Sequence, residues 1–239
     1  MDKNVFVTGA AGGLGLALVR KHLSLGDKVW ALDINEIPAL IELAATNSNV
    51  VPIKCDISKT ENVQSALTGI AQEIGTLNYF YNCAAIYRFE DKVKLQDTIL
   101  DNAAIMYEIN AIGFLRVAQA LLDTFKDGSV VINVTSEAGS IGNNYRDIEY
   151  NYCLSKTAQN MAGSMLQKHF DNIPQNTRVI CIHPGWLRTA MGGKNAFDNP
   201  DASITPENSA EAIVSIALDI DNIDKNRMYM TYDRTDLRW

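Results

Sequence analysis

Val5-Phe6-Val7-Thr8-Gly9-Ala10-Ala11-Gly12-Gly13-Leu14-Gly15 is the stretch on which the reading of this chain turns. A short β-branched and aromatic run feeds straight into a glycine cluster, and a helical pattern continues from about Gly13 to Leu25. Glycines let the backbone turn tightly and let an anion approach the helix N-terminus, where free N–H groups and the dipole favour negative charge. By itself such a cluster also fits an ordinary strand-to-helix turn. The next strand, Lys28-Val29-Trp30-Ala31-Leu32, ends at Asp33, 18 residues after Gly15. A carboxylate there can take the hydroxyls of a nucleotide ribose. Strand, glycine turn, helix and acid together point to a bound dinucleotide. No Gly-Lys-Ser/Thr follows the turn, which excludes a kinase-type phosphate loop.

Outward from that unit the same alternation repeats. Val50-Val51-Pro52-Ile53 reads as a strand whose proline places it near a sheet edge. Helical patterns near Glu61–Glu73, Gln96–Phe125, Tyr150–Phe170 and Pro206–Leu218 alternate with strands at Leu77–Tyr81, Ser129–Val134, Arg178–Ile182 and Met228–Thr231. Strand, helix, strand, repeated, implies parallel strands with right-handed crossovers and helices on both faces. The expected fold is therefore α/β, a single Rossmann domain with a doubly wound parallel sheet of about seven strands. Residues 1–135, which carry the glycine turn, are expected to be its mainly dinucleotide-binding half and 136–239 its second half. The stretch Thr189–Thr205, rich in Gly, Asn and Asp, lacks periodicity and reads as a lid over a site.

Composition narrows the function. The 239 residues carry 21 Lys+Arg against 28 Asp+Glu, a formal charge of −7, which argues against a nucleic-acid partner. No apolar stretch approaches the roughly 18 uncharged residues of a membrane span. Met1-Asp2-Lys3-Asn4 enters an apolar run without the features of a secretory signal, so a cytoplasmic location is expected. Cys55, Cys83, Cys153 and Cys181 show no C-x-x-C pair and read as reduced, mostly buried thiols. His22, His169 and His183 form no local metal pattern, and no metal is expected.

A second constellation is Tyr152-Cys153-Leu154-Ser155-Lys156 on a predicted helix. Residues four apart share a helix face, so phenol and ammonium point the same way. A tyrosine is a poor base at neutral pH, but a close ammonium with an oxidised nicotinamide favours the phenolate. Tyr150 and Tyr145 have Leu154 and Glu149 four residues on, which leaves Tyr152 as the tyrosine with the lysine partner.

With both motifs present, the sequence resembles the short-chain dehydrogenase/reductase family, from Val5 through the predicted seventh strand. T-G-x-x-x-G-x-G is Thr8–Gly15, and Y-x-x-x-K is Tyr152–Lys156. The resemblance places the catalytic serine on Ser136 and the catalytic asparagine on Asn110. It implies cofactor contacts from Gly9, Gly13, Leu14, Gly15, Asp33, Asp56, Ile57, Asn82, Ala84, Tyr152, Lys156, Pro184, Gly185 and Thr189. One match is imperfect: the usual N-N-A-G is Asn82-Cys83-Ala84-Ala85, which puts the structural role of that turn in doubt. Gly139–Asn144, His183–Gly193 and Tyr232–Trp239 resemble the C-factor and Sniffer-like carbonyl reductases.

The resemblance implies hydride transfer between NAD(H) and a small-molecule alcohol/ketone or aldehyde pair. Tyr152 would be the acid/base, Ser136 would position the substrate oxygen, Lys156 would lower the tyrosine pKa and hold the ribose, and Asn110 would anchor a relay water. Trp186, Met191 and Phe197 are expected to offer apolar surface over the pocket. NAD(H) is expected over NADP(H), because Asp33 would repel a 2′-phosphate and Ile34, Asn35 and Glu36 supply no cation, although Sniffer-type relatives favour NADP. A homodimer or homotetramer stays open beside a monomer. The alternative is a dinucleotide-binding regulatory or signalling protein on the same fold.

Overall fold

In the computed structural model, residues 3–35 and 38–239 are described; Glu36 lies outside them. Seven strands form one sheet: β1 Asn4–Thr8, β2 Lys28–Asp33, β3 Val50–Lys54, β4 Leu77–Asn82, β5 Phe125–Val134, β6 Arg178–His183 and β7 Tyr229–Thr231. Their order is β3-β2-β1-β4-β5-β6-β7 and every pairing is parallel. Pro52, lacking an N–H, sits on the edge strand β3, as its chemistry requires.

Side chains of a strand alternate between faces, and here both faces are covered. Val5 and Val7 of β1 enter one core with Leu14 and Leu18 of α1 (Gly13–Ser24), Leu40 of α2 (Pro38–Thr46) and Ile213 and Val214 of α8 (Pro206–Leu218). Phe6, between the two valines, enters the other core. There it joins Leu67 of α3 (Thr60–Ile74), Phe114 of α5 (Gly113–Ala120) and Leu166 and Phe170 of α6 (Tyr150–Asp171). Phe6, Phe80 and Phe114 are completely buried, and burying such a side chain contributes roughly 1.5–3 kcal/mol. The expected doubly wound Rossmann fold is what the chain adopts. Its winding reverses between β1 and β4, and in open α/β sheets ligands bind beyond the strand C-termini at that point.

Three expectations change. The single helix over 96–125 is broken: Leu95–Asp97 and Leu100–Asn102 are 3₁₀ turns, α4 spans only Ala103–Met106, and Tyr107–Ile112 is a π-helical turn leading into α5. The Thr98 hydroxyl donates to the Lys94 carbonyl (3.0 Å), the local bonding by which Thr, Asn and Asp compete with helix formation. Strand β5 consequently begins at Phe125 rather than Ser129. Helix α2 was not expected: it is short, Leu40 is its one buried residue among those described, and Leu43 and Ala44 pack beside it only half-buried against the core. Within 189–205, Lys194–Asp198 forms a short helix, α7.

Candidate active site

Strand β1 delivers Thr8 to the glycine turn, and the geometry shows what each glycine is for. Gly9 has φ +67°, and a Cβ there would lie 2.9 Å from the Ala84 Cα. Gly15 packs so closely that a Cβ would lie 2.0 Å from the Gly9 carbonyl oxygen. Gly12 faces open space, with nothing within 4 Å of a built Cβ. A phosphate therefore has room at the N-terminus of α1. The Asp33 carboxylate accepts the Ala11 N–H (3.0 Å) and the Asn35 N–H (3.0 Å), tying the end of β2 to the turn.

The turn after β4 keeps its architecture despite Cys83 and Ala85. The Thr8 hydroxyl donates to Asn82 Oδ1 (3.0 Å) and accepts the N–H groups of Cys83 and Ala84 (3.1 Å each). Asn82 is the position the local architecture needs, and it is present.

Ser136 follows β5, with its carbonyl accepting the Tyr229 hydroxyl (2.6 Å) and its own hydroxyl accepting the Ala138 N–H (3.1 Å). Tyr152 and Lys156 stand on successive turns of α6, with Nζ 5.7 Å from the phenol ring centroid. Burial pushes the Tyr152 phenol up to about 12, against the opposing pull of a Ser136 hydrogen bond and the Arg146 charge. The ammonium and nicotinamide of the sequence reading thus act on a phenol that its own surroundings hold high. Burial also pushes Lys156 down to about 7. Asn110 lies in the π-helical turn and clasps the chain after β4: Oδ1 accepts the Ile86 N–H (2.8 Å) and Nδ2 donates to the Ile86 carbonyl (3.0 Å) and to Ser155 Oγ (3.0 Å). Single π-turns are frequent where function requires a displaced side chain.

One cleft of about 1120 Å³ brings most of the expected residues together. Gly9, Gly13, Leu14, Gly15 and Asp33 line one end, and Asp56, Ile57 and Ala84 stand beyond β3 and β4. Ser136, Tyr152, Lys156, Pro184, Gly185 and Thr189 line it too. Asn82 and Asn110 are not on its surface; both are fully buried and support it from behind. Trp186 and Met191 line the cleft as expected. Phe197 does not line it and is 56% exposed, because α7 turns that ring outward. Among the described residues no group of three His, Cys, Asp or Glu could hold a metal, and no helix is long and apolar enough to cross a membrane. All four cysteines are free; Cys55 and Cys181 are buried, Cys83 and Cys153 partly so.

The family model for short chain dehydrogenases matches residues 3–199. The chain belongs to the short-chain dehydrogenase/reductase family. It is 27% identical over 237 residues to 1-hydroxy-2-glutathionyl-2-methyl-3-butene dehydrogenase of Rhodococcus sp. (strain AD45), covering 98% of this chain and 99% of that one. The carbonyl reductase Sniffer of D. melanogaster superposes with a TM-score of 0.86 at 25% identity, covering 100% of both chains. The NADPH-bound carbonyl reductase from chicken fatty liver superposes with a TM-score of 0.87 at 23% identity, covering 100% of this chain and 99% of that one. The resemblance to Sniffer-like reductases is borne out, and the chain is an oxidoreductase of this family.

In this short-chain dehydrogenase the cleft also carries a charged network that sequence reading missed. Arg146 bridges Glu137, the residue after Ser136, to Glu149, three residues before Tyr152. Glu149 adopts a left-handed backbone (φ +64°) and also accepts the Tyr87 hydroxyl (2.6 Å). The Tyr87 ring meets Tyr152 edge-on, with centroids 5.0 Å apart. The bridge ties the serine loop to the tyrosine helix. A buried carboxylate at a strained position next to α6 carries no periodic signal; only the close pairing of Glu and Arg around the motif hinted at it.

Proposed function

We propose that this short-chain dehydrogenase is an NAD(H)-dependent carbonyl reductase or alcohol dehydrogenase of small molecules, working through Ser136, Tyr152, Lys156 and Asn110. The observation that carries this reading is that Ser136, Tyr152 and Lys156 line one cleft with the glycine turn. The turn fits a dinucleotide, since Gly15 admits no side chain while Gly12 opens onto free space at a helix N-terminus. Gly9, Gly13, Leu14 and Gly15 would hold the pyrophosphate, Asp33 the adenosine ribose, and Asp56, Ile57 and Ala84 the adenine side, with the buried Asn82 bracing the turn behind them. Lys156 would hold the nicotinamide ribose, and Pro184, Gly185 and Thr189 the carboxamide. The bound nicotinamide supplies or accepts the hydride. In the reducing direction Tyr152 donates its phenolic proton to the substrate oxygen and Ser136 hydrogen-bonds the same oxygen, both acting where charge develops. The Lys156 ammonium stabilises the resulting phenolate, and Asn110 keeps the chain beside it in place for proton return from solvent. Loss of NADH absorbance against a panel of ketones and aldehydes is the direct test. No turnover with any of them would remove the reading.

The cofactor preference rests on Asp33. A 2′-phosphate against its carboxylate would meet about 4 kcal/mol of repulsion for unit charges 4 Å apart at an effective dielectric near 20, before screening. Ile34 and Asn35 line the cleft beside it. Lys54 is the register partner of Asp33 on β3. The expected kcat/KM is at least about tenfold higher with NADH than with NADPH, a residue of the unscreened repulsion. Equal values, or an NADPH preference, overturn the argument.

The lid reading of 189–205 gains support from internal bonding. Leu187 bridges Ile204, Arg188 Nε donates to Ser203 Oγ (3.1 Å), and Trp186 Nε1 donates to the Gly192 carbonyl (3.1 Å). A loop so closed on itself moves as a unit over the cleft. Amide hydrogen exchange in this segment is expected to slow when NADH and a substrate are added. Unchanged exchange means that it is not a lid.

A further inference from the structure

Burial leaves the Lys156 side chain almost inaccessible, yet the charges around it are not anions. The groups facing it are Cys83 after β4, Cys181 on β6, Tyr152 on α6 and His183 at the end of β6. Burial pushes the Cys83 and Cys181 thiols up to about 12 and the phenol up to about 12, so all three are neutral at pH 7. It pushes His183 down to about 4, which leaves that ring neutral as well. A buried ammonium without a carboxylate needs a strong dipole to remain charged. The structure supplies one. Lys156 Nζ donates to Gln159 Oε1 at 2.7 Å, one helical turn further along α6.

Gln159 is itself fully buried, and its amide has a single workable orientation. Nε2 donates to Asn133 Oδ1 (2.7 Å) and to the Val134 carbonyl (3.0 Å), which leaves Oε1 facing the ammonium. Flipping the amide would set donor against ammonium and acceptor against two acceptors. Asn133 Oδ1 also accepts Asn82 Nδ2 (3.0 Å), and Asn82 Oδ1 accepts the Thr8 hydroxyl (3.0 Å). An unbroken run of side-chain hydrogen bonds, Thr8–Asn82–Asn133–Gln159–Lys156, thus joins the glycine turn to the lysine under the C-terminal ends of β1, β4 and β5.

We propose that Gln159 is a positioning residue that keeps the buried Lys156 charged and aimed at the site, anchored through Asn133 and Asn82 to the glycine turn. This rests on the role given to Lys156 above, but the charge state of the lysine can be read without turnover. An ammonium near its midpoint at pH 7 has little margin, and losing its acceptor shifts it toward the neutral amine over the working range. A polar network that only filled space would leave that equilibrium alone.

The test is an NMR titration of the intact protein labelled at lysine ¹³Cε, with the Lys156 signal assigned by its loss in Lys156→Met. Gln159→Met keeps the length and removes the acceptor; Gln159→Glu keeps an acceptor and adds a negative charge. The Lys156 midpoint is expected to fall by about one pH unit or more in Gln159→Met, a tenfold loss of proton affinity, and to rise in Gln159→Glu. A midpoint within about 0.3 unit of wild type in Gln159→Met, or a shift of the same sign in both variants, overturns the proposal. Should Gln159→Met fail to fold by thermal melting, Gln159→Glu decides alone: a rise supports the role and no rise removes it. In the carbonyl assay, Gln159→Met should lose rate at lower pH than wild type. If wild type reduces no carbonyl compound, the enzymatic reading falls while the titration still judges Gln159.

Discussion

Replacing Tyr152 with phenylalanine is expected to lower kcat by roughly 10²–10⁴-fold, the usual contribution of a positioned acid/base, while NADH binding persists. The ring keeps its edge-on packing against Tyr87, so the helix and the cleft stay in place. What disappears is the phenolic oxygen, and with it the proton donor beside Ser136 in the cleft. NADH fluorescence titration alongside steady-state turnover separates the two effects. A variant keeping more than half the wild-type rate would take the acid/base role away from Tyr152.

The glycine turn offers an equally large effect with an internal control. In Gly15→Ala the new methyl carbon would start 2.0 Å from the Gly9 carbonyl oxygen, against backbone that cannot swing aside. Overpacking of this kind costs typically 1–3 kcal/mol and occasionally more. For a chain of this size that lowers Tm by roughly 2–4 °C for each kcal/mol. The greater loss is expected in NADH affinity, because displacing the Gly9 carbonyl moves the first turn of α1, where the pyrophosphate would sit. Gly12→Ala, in open space with an extended backbone (φ −161°), should leave Tm unchanged. Equal melting temperatures for the Gly15→Ala variant and wild type, with undiminished NADH binding, would show that the close approach does not constrain the turn.

What was legible in the sequence was whatever repeats or sits at fixed spacing. Runs such as Val130-Val131-Ile132 read as strands because strands buried on both faces are almost continuously apolar. Tyr152 and Lys156 read as a pair because an α-helix brings residues four apart onto one face. The region 96–125 departs from one helix because Thr98 bonds locally to the Lys94 carbonyl, Asn102 bonds out to Arg88 and Asp91, and Ile99 and Leu100 are more than half exposed. Helix α2 escaped notice because it spans only nine residues and, of its core-facing Leu40, Leu43 and Ala44, only Leu40 is fully buried.

The amino-acid order by itself determined the alternating α/β architecture, the glycine turn with its acid at the end of β2, and the tyrosine–lysine face, since each depends on local geometry and short periods. Only the tertiary structure decided which distant groups meet. It set Asn82 and Asn110 behind the cleft, turned Phe197 outward, clamped Glu137 to Glu149 through Arg146, and aimed Gln159 at Lys156. Those contacts join residues from different strands and loops, and buried hydrogen-bond networks form only where packing excludes water and leaves each polar atom one available partner. No spacing along the chain encodes that.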